Sequence, residues 1–265
     1  TNLSSKSEVR RQMVIPKQMR HQLIMMYHDS YVAGHYGVDR TFQRLNDRVY
    51  WDTMYNDVYN YCQSCMVCAK RKTPHRTKQL AAGTLPIASY PWQRISIDIV
   101  GPLPLSLAGN SYILVVSDWF TRWIEAWPMK DQREETICQL IVEEICCRYG
   151  FPEYLHSDRG SNFLSNLSNK MYEMLDIHKT ATTAYHPQGN GITERQNQTL
   201  IELISMYAQE SDWDAFIPYC LCAIRSAING TTHFTPHYLM FAREMRLPSD
   251  VYLGFEDTNY NQQEK

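Results

Sequence analysis

Three carboxylates in this chain have the types and settings that phosphate chemistry needs. Asp158 lies in the run Ser157-Asp158-Arg159-Gly160-Ser161-Asn162-Phe163, and 35 residues separate it from Glu194. Asp98 sits upstream in an alternating run, Arg94-Ile95-Ser96-Ile97-Asp98-Ile99-Val100. Carboxylates packed together repel, so part of such a trio takes up protons unless cations supply the missing positive charge. Two Asp and one Glu on separate elements therefore suit a divalent-metal site. Two metals held roughly 3.5–4 Å apart clamp the attacking and leaving oxygens of a phosphodiester, the arrangement that nucleases and polymerases use. The expectation is metal-dependent strand transfer, with Asp98, Asp158 and Glu194 as metal-holding catalytic residues.

A second set has softer donors. His28 and His35 are followed by Cys65-Met66-Val67-Cys68, where the Cys-x-x-Cys spacing is a strong zinc signal and the two His complete a four-ligand set. Two alternatives stay open: Cys62 forms a competing Cys-x-x-Cys with Cys65, and His21 could replace His28. Six residues lie between His28 and His35, wider than the three to five of zinc fingers, so His28 is the least secure ligand. A third group is basic: Lys70, Arg71, Lys72, Arg76 and Lys78 fall within nine positions that have no periodic apolar face. Such a segment is a solvated tether or a phosphate contact.

The elements that must position these residues follow from periodicity. Met13-Val14-Ile15 reads as a short strand stopped by Pro16. Helices are expected over 17–29 (Met19, Leu23, Met26, Tyr27), 39–48 (Phe42, Leu45) and 54–62 (Val58, Tyr61). Three short helices bury too little to stand alone, and zinc would be their staple. From Trp92 the period becomes two: Ile95, Ile97 and Ile99 face one way, Ser96 and Asp98 the other, and Ser96 hints at an opening on that face. Strands are expected at 112–117 and 123–127 before Pro128, a helix over 133–149 ended by Gly150 and Pro152, and a strand at 154–156 delivering Asp158. A helix over 164–175, a strand at 178–182 and a loop rich in Gly and Pro over 184–191 lead to a helix from Glu194 to 209. The apolar stripe of that helix (Leu200, Leu203, Ile204, Tyr207) is centred roughly 130° from Glu194, which leaves the carboxylate off the buried face. Helices over 213–228 and 236–241 and a loose polar tail from Ser249 complete the chain. The fold class is α/β: a mixed sheet with an antiparallel meander followed by crossovers, helices on both faces, and a small all-α zinc-stapled module in front. The corresponding domains are an extension (1–16), a zinc-binding module (17–70), a basic linker (71–90), a catalytic core (91–245) and a tail (246–265).

Composition sets the outer bounds. At 44% hydrophobic and 20% charged the 265 residues are those of a folded protein rather than a disordered one. No apolar run approaches the roughly 18 residues of a membrane span, no signal peptide is expected, and the chain opens on Thr1, as a piece cut from a longer precursor would. Residues 1–80 hold 13 Lys+Arg against 6 Asp+Glu, whereas residues 81–265 hold 13 against 22. The basic front suits nucleic acid; the acidic remainder approaches phosphate only through metal. Of the eight Cys, three cluster and five are scattered among apolar residues, a pattern of a reducing compartment with one metal site.

Taken together these residues resemble the integrases of retroviruses and LTR retrotransposons, most closely the Gypsy class. The resemblance is carried by His28-Asp29, Ala33-Gly34-His35-Tyr36-Gly37, Tyr50-Trp51 and Cys65-x-x-Cys68, then by Asp98-Ile99-Val100-Gly101-Pro102-Leu103-Pro104, Ser157-Asp158-Arg159-Gly160-x-x-Phe163, and Tyr185-His186-Pro187-Gln188 running into Gly191-Ile192-Thr193-Glu194-Arg195-Gln196-Asn197. It covers about Val14 to Arg243. It implies a ribonuclease-H-like core whose three carboxylates bind two Mg²⁺ or Mn²⁺, and a His-His-Cys-Cys bundle with one structural Zn²⁺. It also implies action on retroelement DNA ends and target DNA by a homo-oligomer, in the nucleus after cytoplasmic assembly within a polyprotein. Water would first trim the 3′ end; the freed 3′-hydroxyl would then attack target DNA, with Gln188 and Asn190 holding DNA near the metals. Family members continue into a further C-terminal DNA-binding module, and this chain ends about twenty residues after the core. Two rivals are a catalytically inactive, domesticated binding protein and a simple metal nuclease. The complete acid trio speaks against the first, and the attached zinc module against the second.

If the basic segment lies along DNA, each phosphate it neutralises releases counterions, so affinity falls steeply with salt. Replacing Lys70, Arg71, Lys72, Arg76 and Lys78 by Ala is expected to weaken binding to two unrelated duplexes about equally and to flatten log affinity against log salt. An unchanged slope would reduce the segment to a tether.

Overall fold

The computed structural model describes residues 12–71, 88–157, 166–181, 191–208 and 211–254. They fall into two compact units, one formed by residues up to Lys70 together with those from Leu247, the other by Arg71 to Arg246.

In the first unit, β1 (Met13–Val14) pairs in parallel with β2 (Val49–Tyr50). Between them lie α1 (Lys17–His28) and α2 (Val38–Asn46), and after them α3 (Met54–Ser64) and α4 (Met66–Arg71). Pro16, extended at φ −66° and ψ 151°, starts α1 because its ring pre-sets a helical entry without needing a donor. Leu23, Ile24 and Tyr27 of α1, Leu45 of α2, and Met54 and Val58 of α3 meet Ile15, Val49 and Trp51 in one small core. Helix α2 stops before 48 because Arg48 and Val49 turn into β2. The chain between α3 and α4 breaks at Cys65, which is extended at φ −68° and ψ 112°. Helix α4 was not expected from the sequence: six residues are too few to display a helical period.

In the second unit, β3 (Arg94–Val100), β4 (Tyr112–Asp118) and β5 (Ile124–Met129) form the antiparallel meander, with Ile97 opposite Val116 and Val115 opposite Ala126. Pro128 lies inside β5 rather than ending it, which an edge strand tolerates because the missing N–H costs no ladder bond. The next helix is continuous in three parts: α5 (Glu134–Leu140), a π-helical turn (Ile141–Cys146) and α6 (Cys147–Tyr149). Ile137, Ile141 and Ile145 are all fully buried. Widening the middle turn offsets the about 40° by which an i, i+4, i+8 row drifts round a straight α-helix. Strand β6 (Tyr154–Ser157) then pairs in parallel with β3, helix α7 (Asn166–Met174) crosses over, and β7 (His178–Ala181) pairs in parallel with β6. The sheet order β5-β4-β3-β6-β7 makes β3 the central strand.

Alternation along β3 divides the unit. Ile95 and Ile97 pack with Leu114, Val116, Leu155, Tyr172 and the three isoleucines just named, on the face covered by α5 and α7. The opposite face carries Ser96 and Asp98 and is covered by α8 (Gly191–Tyr207), which packs on α9 (Trp213–Arg225) through a helix pair rich in buried Leu, Ile and Cys. Helix α10 (Pro236–Phe241) starts on a Thr235 cap, whose hydroxyl accepts the Tyr238 amide, with Pro236 at the first helical position. Helix α8 begins at Gly191, one turn earlier than expected, because Thr193 is itself buried against β3. Among the described residues no helix is long and apolar enough to cross a membrane.

The stretch expected to be a loose tail contains a further helix, α11 (Pro248–Tyr252), which belongs to the first unit. Leu253 enters that unit's core, and Asp250, 4% exposed, pairs with the Arg48 guanidinium. A polar composition hid this because the buried polar residue is neutralised by a partner far away in sequence. Asp250→Ala would strand Arg48 and is expected to cost about 3 kcal/mol, the lower end for a broken buried pair because Arg48 keeps some water contact. Amide exchange should then accelerate over α1 to α3 and stay unchanged over β3 to β6; unaltered exchange in the helices would remove α11 from the first unit's stability.

Candidate active site and metal centre

On the polar face of β3, Asp98 is half-buried and both its oxygens accept hydrogen bonds. Oδ1 takes the Ile99 amide at 2.9 Å, and Oδ2 takes the side-chain amide of Asn197 at 2.6 Å. Asn197 lies on α8, where Glu194 occupies the first turn, exposed. One residue before Glu194, the Thr193 hydroxyl stands 2.6 Å from that of Ser96, two residues before Asp98. Ser96 is therefore closed off by α8, and the opening expected from its polarity is absent: two hydroxyls satisfy each other there instead of facing water. The exposed rim is at Glu194. Strand β6 ends at Ser157, whose partner on β3 is Ile97, the neighbour of Asp98. Asp158 itself lies outside the described residues, as do Gln188, Asn190, Lys72, Arg76 and Lys78; Lys70 is exposed on α4, which ends at Arg71.

The carboxylates carried here are Asp98, half-buried on a strand, and Glu194, exposed on the first turn of the helix that is bonded to that strand through Asn197 and Thr193. Hard oxygen ligands of this kind suit Mg²⁺ or Mn²⁺ and suit zinc or copper less. Asn197 and Thr193 escaped the sequence reading, since bonds across 99 and 97 residues leave no periodic trace. Both lie in the motif Gly191 to Asn197, but the only sign there of a shared role is that they are four apart and so share a helix face. His156, two residues before Asp158, is kept neutral: burial, and then the nearby Arg94 charge, push its pKa below the usual imidazole value.

The second site lies in the first unit. His28 closes α1, His35 follows Gly34 with a left-handed φ of 43°, Cys65 forms the break before α4, and Cys68 is on α4. One ligand atom from each lies within 4.8 Å of the others. A backbone bond from the His35 amide to the His28 carbonyl, 3.1 Å, draws the two His together across the six-residue gap. Cys68 Sγ is 3.4 Å from His28 Nε2 and 3.8 Å from His35 Nδ1, and Cys65 Sγ is 3.5 Å from His35 Nδ1. A tetrahedral ion about 2.0–2.1 Å from nitrogen and about 2.3 Å from sulfur sets N and S roughly 3.5 Å apart, so the donor set fits zinc.

The geometry also sorts the alternatives. Cys62 Sγ is 3.5 Å from His28 Nδ1, the nitrogen on the far side of the ring from Cys68, and so stands behind His28 rather than among the ligands. His21 meets the ring of Tyr61 edge-on and is not in the cluster. Tyr61 also meets His28 edge-on and donates to Asp29, whose carboxylate is 3.8 Å from His35 Nδ1. Burial and that hydrogen bond push the Tyr61 phenol above its ordinary range, so it remains a donor holding Asp29 beside the cluster.

Two family models match the chain: the integrase zinc binding domain over residues 15–74 and the integrase core domain over residues 88–187. Glu194 lies beyond the second match. Among relatives, the chain is 27% identical over 228 residues to the retrovirus-related Pol polyprotein from transposon 412 of Drosophila melanogaster, covering 85% of this chain and 18% of that protein. It is 32% identical over 188 residues to the Gag-Pol polyprotein of woolly monkey sarcoma virus, covering 70% and 11%. The chain thus spans a fifth or less of these relatives. In fold it is similar to a chain of the simian T-cell lymphotropic virus intasome bound to PP2A regulatory subunit B56 gamma, with a TM-score of 0.54, 20% identity, and coverage of 83% of this chain and 76% of that one.

The ligand assignment predicts different fates for neighbouring cysteines. Cys68→Ser, or a chelator, is expected to abolish zinc by elemental analysis and melt the helices of residues 17–70 while residues 91–245 stay folded. Cys62→Ser is expected to retain one zinc per chain; loss of metal in Cys62→Ser and retention in Cys68→Ser would reverse the assignment. With the zinc binding domain matched over the residues that form this cluster, and the core domain matched over the sheet that carries Asp98 and leads to Asp158, the chain belongs to the integrase family of retroviruses and LTR retrotransposons.

Proposed function

We propose that the chain processes the 3′ ends of retroelement DNA and joins them to target DNA by two in-line displacements at phosphorus. The observation that carries this reading is the bond from Asn197 to Asp98, which ties the helix turn bearing Glu194 to the central strand bearing Asp98. Asp98, Asp158 and Glu194 would hold Mg²⁺ or Mn²⁺. Bound there, such ions stabilise charge on the attacking and leaving oxygens of the phosphodiester. The remaining work of the protein is positioning. Asp98 is paired with Val115 of β4, one residue past the last β3 position paired with β6, and its carboxylate is held by the Ile99 and Asn197 amides, so little reorganisation is needed during reaction.

The nucleophiles are water and then a DNA 3′-hydroxyl, and the thiols of the core fit that scheme. Burial pushes Cys146 up to about 11 and Cys220 up to about 12, which leaves both protonated and inert at neutral pH. In this reading Gln188 and Asn190 hold DNA next to Glu194, and Lys70, Arg71, Lys72, Arg76 and Lys78 neutralise phosphates on the way to the site. Two DNA ends must be joined together, so the working form is a homo-oligomer.

Asp158→Asn keeps the shape and removes one charge. Cutting and joining of a labelled DNA oligonucleotide with Mn²⁺ are expected to fall at least about a hundredfold, the scale of losing one charge-stabilising group. Folding and DNA affinity should stay near those of the parent. Near-normal joining by Asp158→Asn would overturn the assignment, and cutting without joining in the parent would identify a nuclease.

A further inference from the structure

The contact between β3 and α8 has a geometry that packing alone does not require. Ser96 and Thr193 are both fully buried, and their hydroxyls meet at 2.6 Å, with Ser96 Oγ also 3.5 Å from the Ser117 carbonyl on β4. Asn197 meets Asp98 at 2.6 Å. On α8 these two contacts are four residues apart, an axial step of about 6 Å. On β3 they are two residues apart, a step of about 6.6 Å on one face of the strand. The two spacings match closely, so helix and strand engage through paired side chains along a common line. Two such points fix both the rotation of α8 about its axis and its displacement along β3; one point would leave rotation free. Glu194 follows Thr193 by about 100° of helical turn, so its carboxylate is placed by the hydroxyl pair on one side and by the Asn197–Asp98 bond on the other.

We infer that the Ser96–Thr193 hydroxyl pair is a positioning device for the acid trio, setting the register of α8 on β3 so that Glu194 shares a metal with Asp98. The inference rests on the proposed function of these carboxylates. Both hydroxyls are fully buried and bonded to each other, so they would act through Glu194. Valine at 193 would preserve the shape and lose the bond, whereas serine would preserve the bond.

The test uses the zinc-loaded 265-residue chain and reads two quantities, the melting temperature and the Mn²⁺ dissociation constant by calorimetric titration, for Ser96→Ala, Thr193→Val, the double variant, Thr193→Ser and Glu194→Gln. Each single deletion removes the bond between the two buried hydroxyls, leaving Ser96 only its 3.5 Å contact to the Ser117 carbonyl in Thr193→Val, and should lower the melting temperature, while the double variant removes both polar groups and should recover it. Mn²⁺ affinity should not recover: it is expected to stay about tenfold weaker in both single deletions and in the double variant, the scale of losing a group that orients a ligand. Thr193→Ser should match the parent in both quantities. Parent-like Mn²⁺ affinity in the double variant, or affinity that tracks melting temperature across the series, would overturn the inference and leave the pair a packing contact. Parent-like Mn²⁺ affinity in Glu194→Gln would instead overturn the metal reading of the trio, and the inference with it.

Discussion

Carboxylates set near one another repel, so the fold must hold Asp98 in place against any such push. It does so by using the stiffest element available. Strand β3 is hydrogen-bonded on both sides, its isoleucine face is sealed by α5 and α7, and its polar face receives α8. Asp98 comes immediately after the stretch of β3 that is paired on both sides, and its carboxylate loses further freedom by accepting the Ile99 and Asn197 amides. The parallel pairing of β6 to the same strand ends the next element beside Asp98, which is why one sheet suffices to gather residues from distant parts of the chain.

The first unit solves the converse problem. Its helices bury a core too small to be self-sufficient, and four donors from the end of α1, the following loop, the break after α3 and α4 converge where more hydrophobic residues would otherwise be needed. Thiolates and imidazoles at one place and carboxylates at the other are donor sets of different softness, which would separate the ions they could hold by chemistry rather than by access.

What could be read directly from the residues was whatever repeats or recurs locally. The alternation of Ile95, Ile97 and Ile99, the run from Tyr112 to Val116, the stop at Gly150 and the Cys-x-x-Cys spacing each announce an element or a donor pair within a few positions. The mixed sheet with its antiparallel meander followed from them, and the expected His and Cys donors do cluster, although the choice between Cys62 and Cys68 needed the two faces of the His28 ring. Contacts formed at long range left no such mark. Ser96 looked like an opening because its partner Thr193 is 97 residues away, and Pro128 looked like a stop because an edge strand cannot be recognised before its neighbours are known. The stretch after 246 looked featureless because Asp250 is balanced by Arg48.

That last pairing closes a loop of 202 residues and makes the first unit discontinuous in the chain. During vectorial synthesis the residues up to Lys70 leave the ribosome long before Leu247 and Leu253 exist to complete their core. The described strands and helices of the second unit all lie between Arg71 and Arg246, ahead of that segment. The first unit therefore reaches its final packing only once the segment from Leu247 to Leu253 has been made.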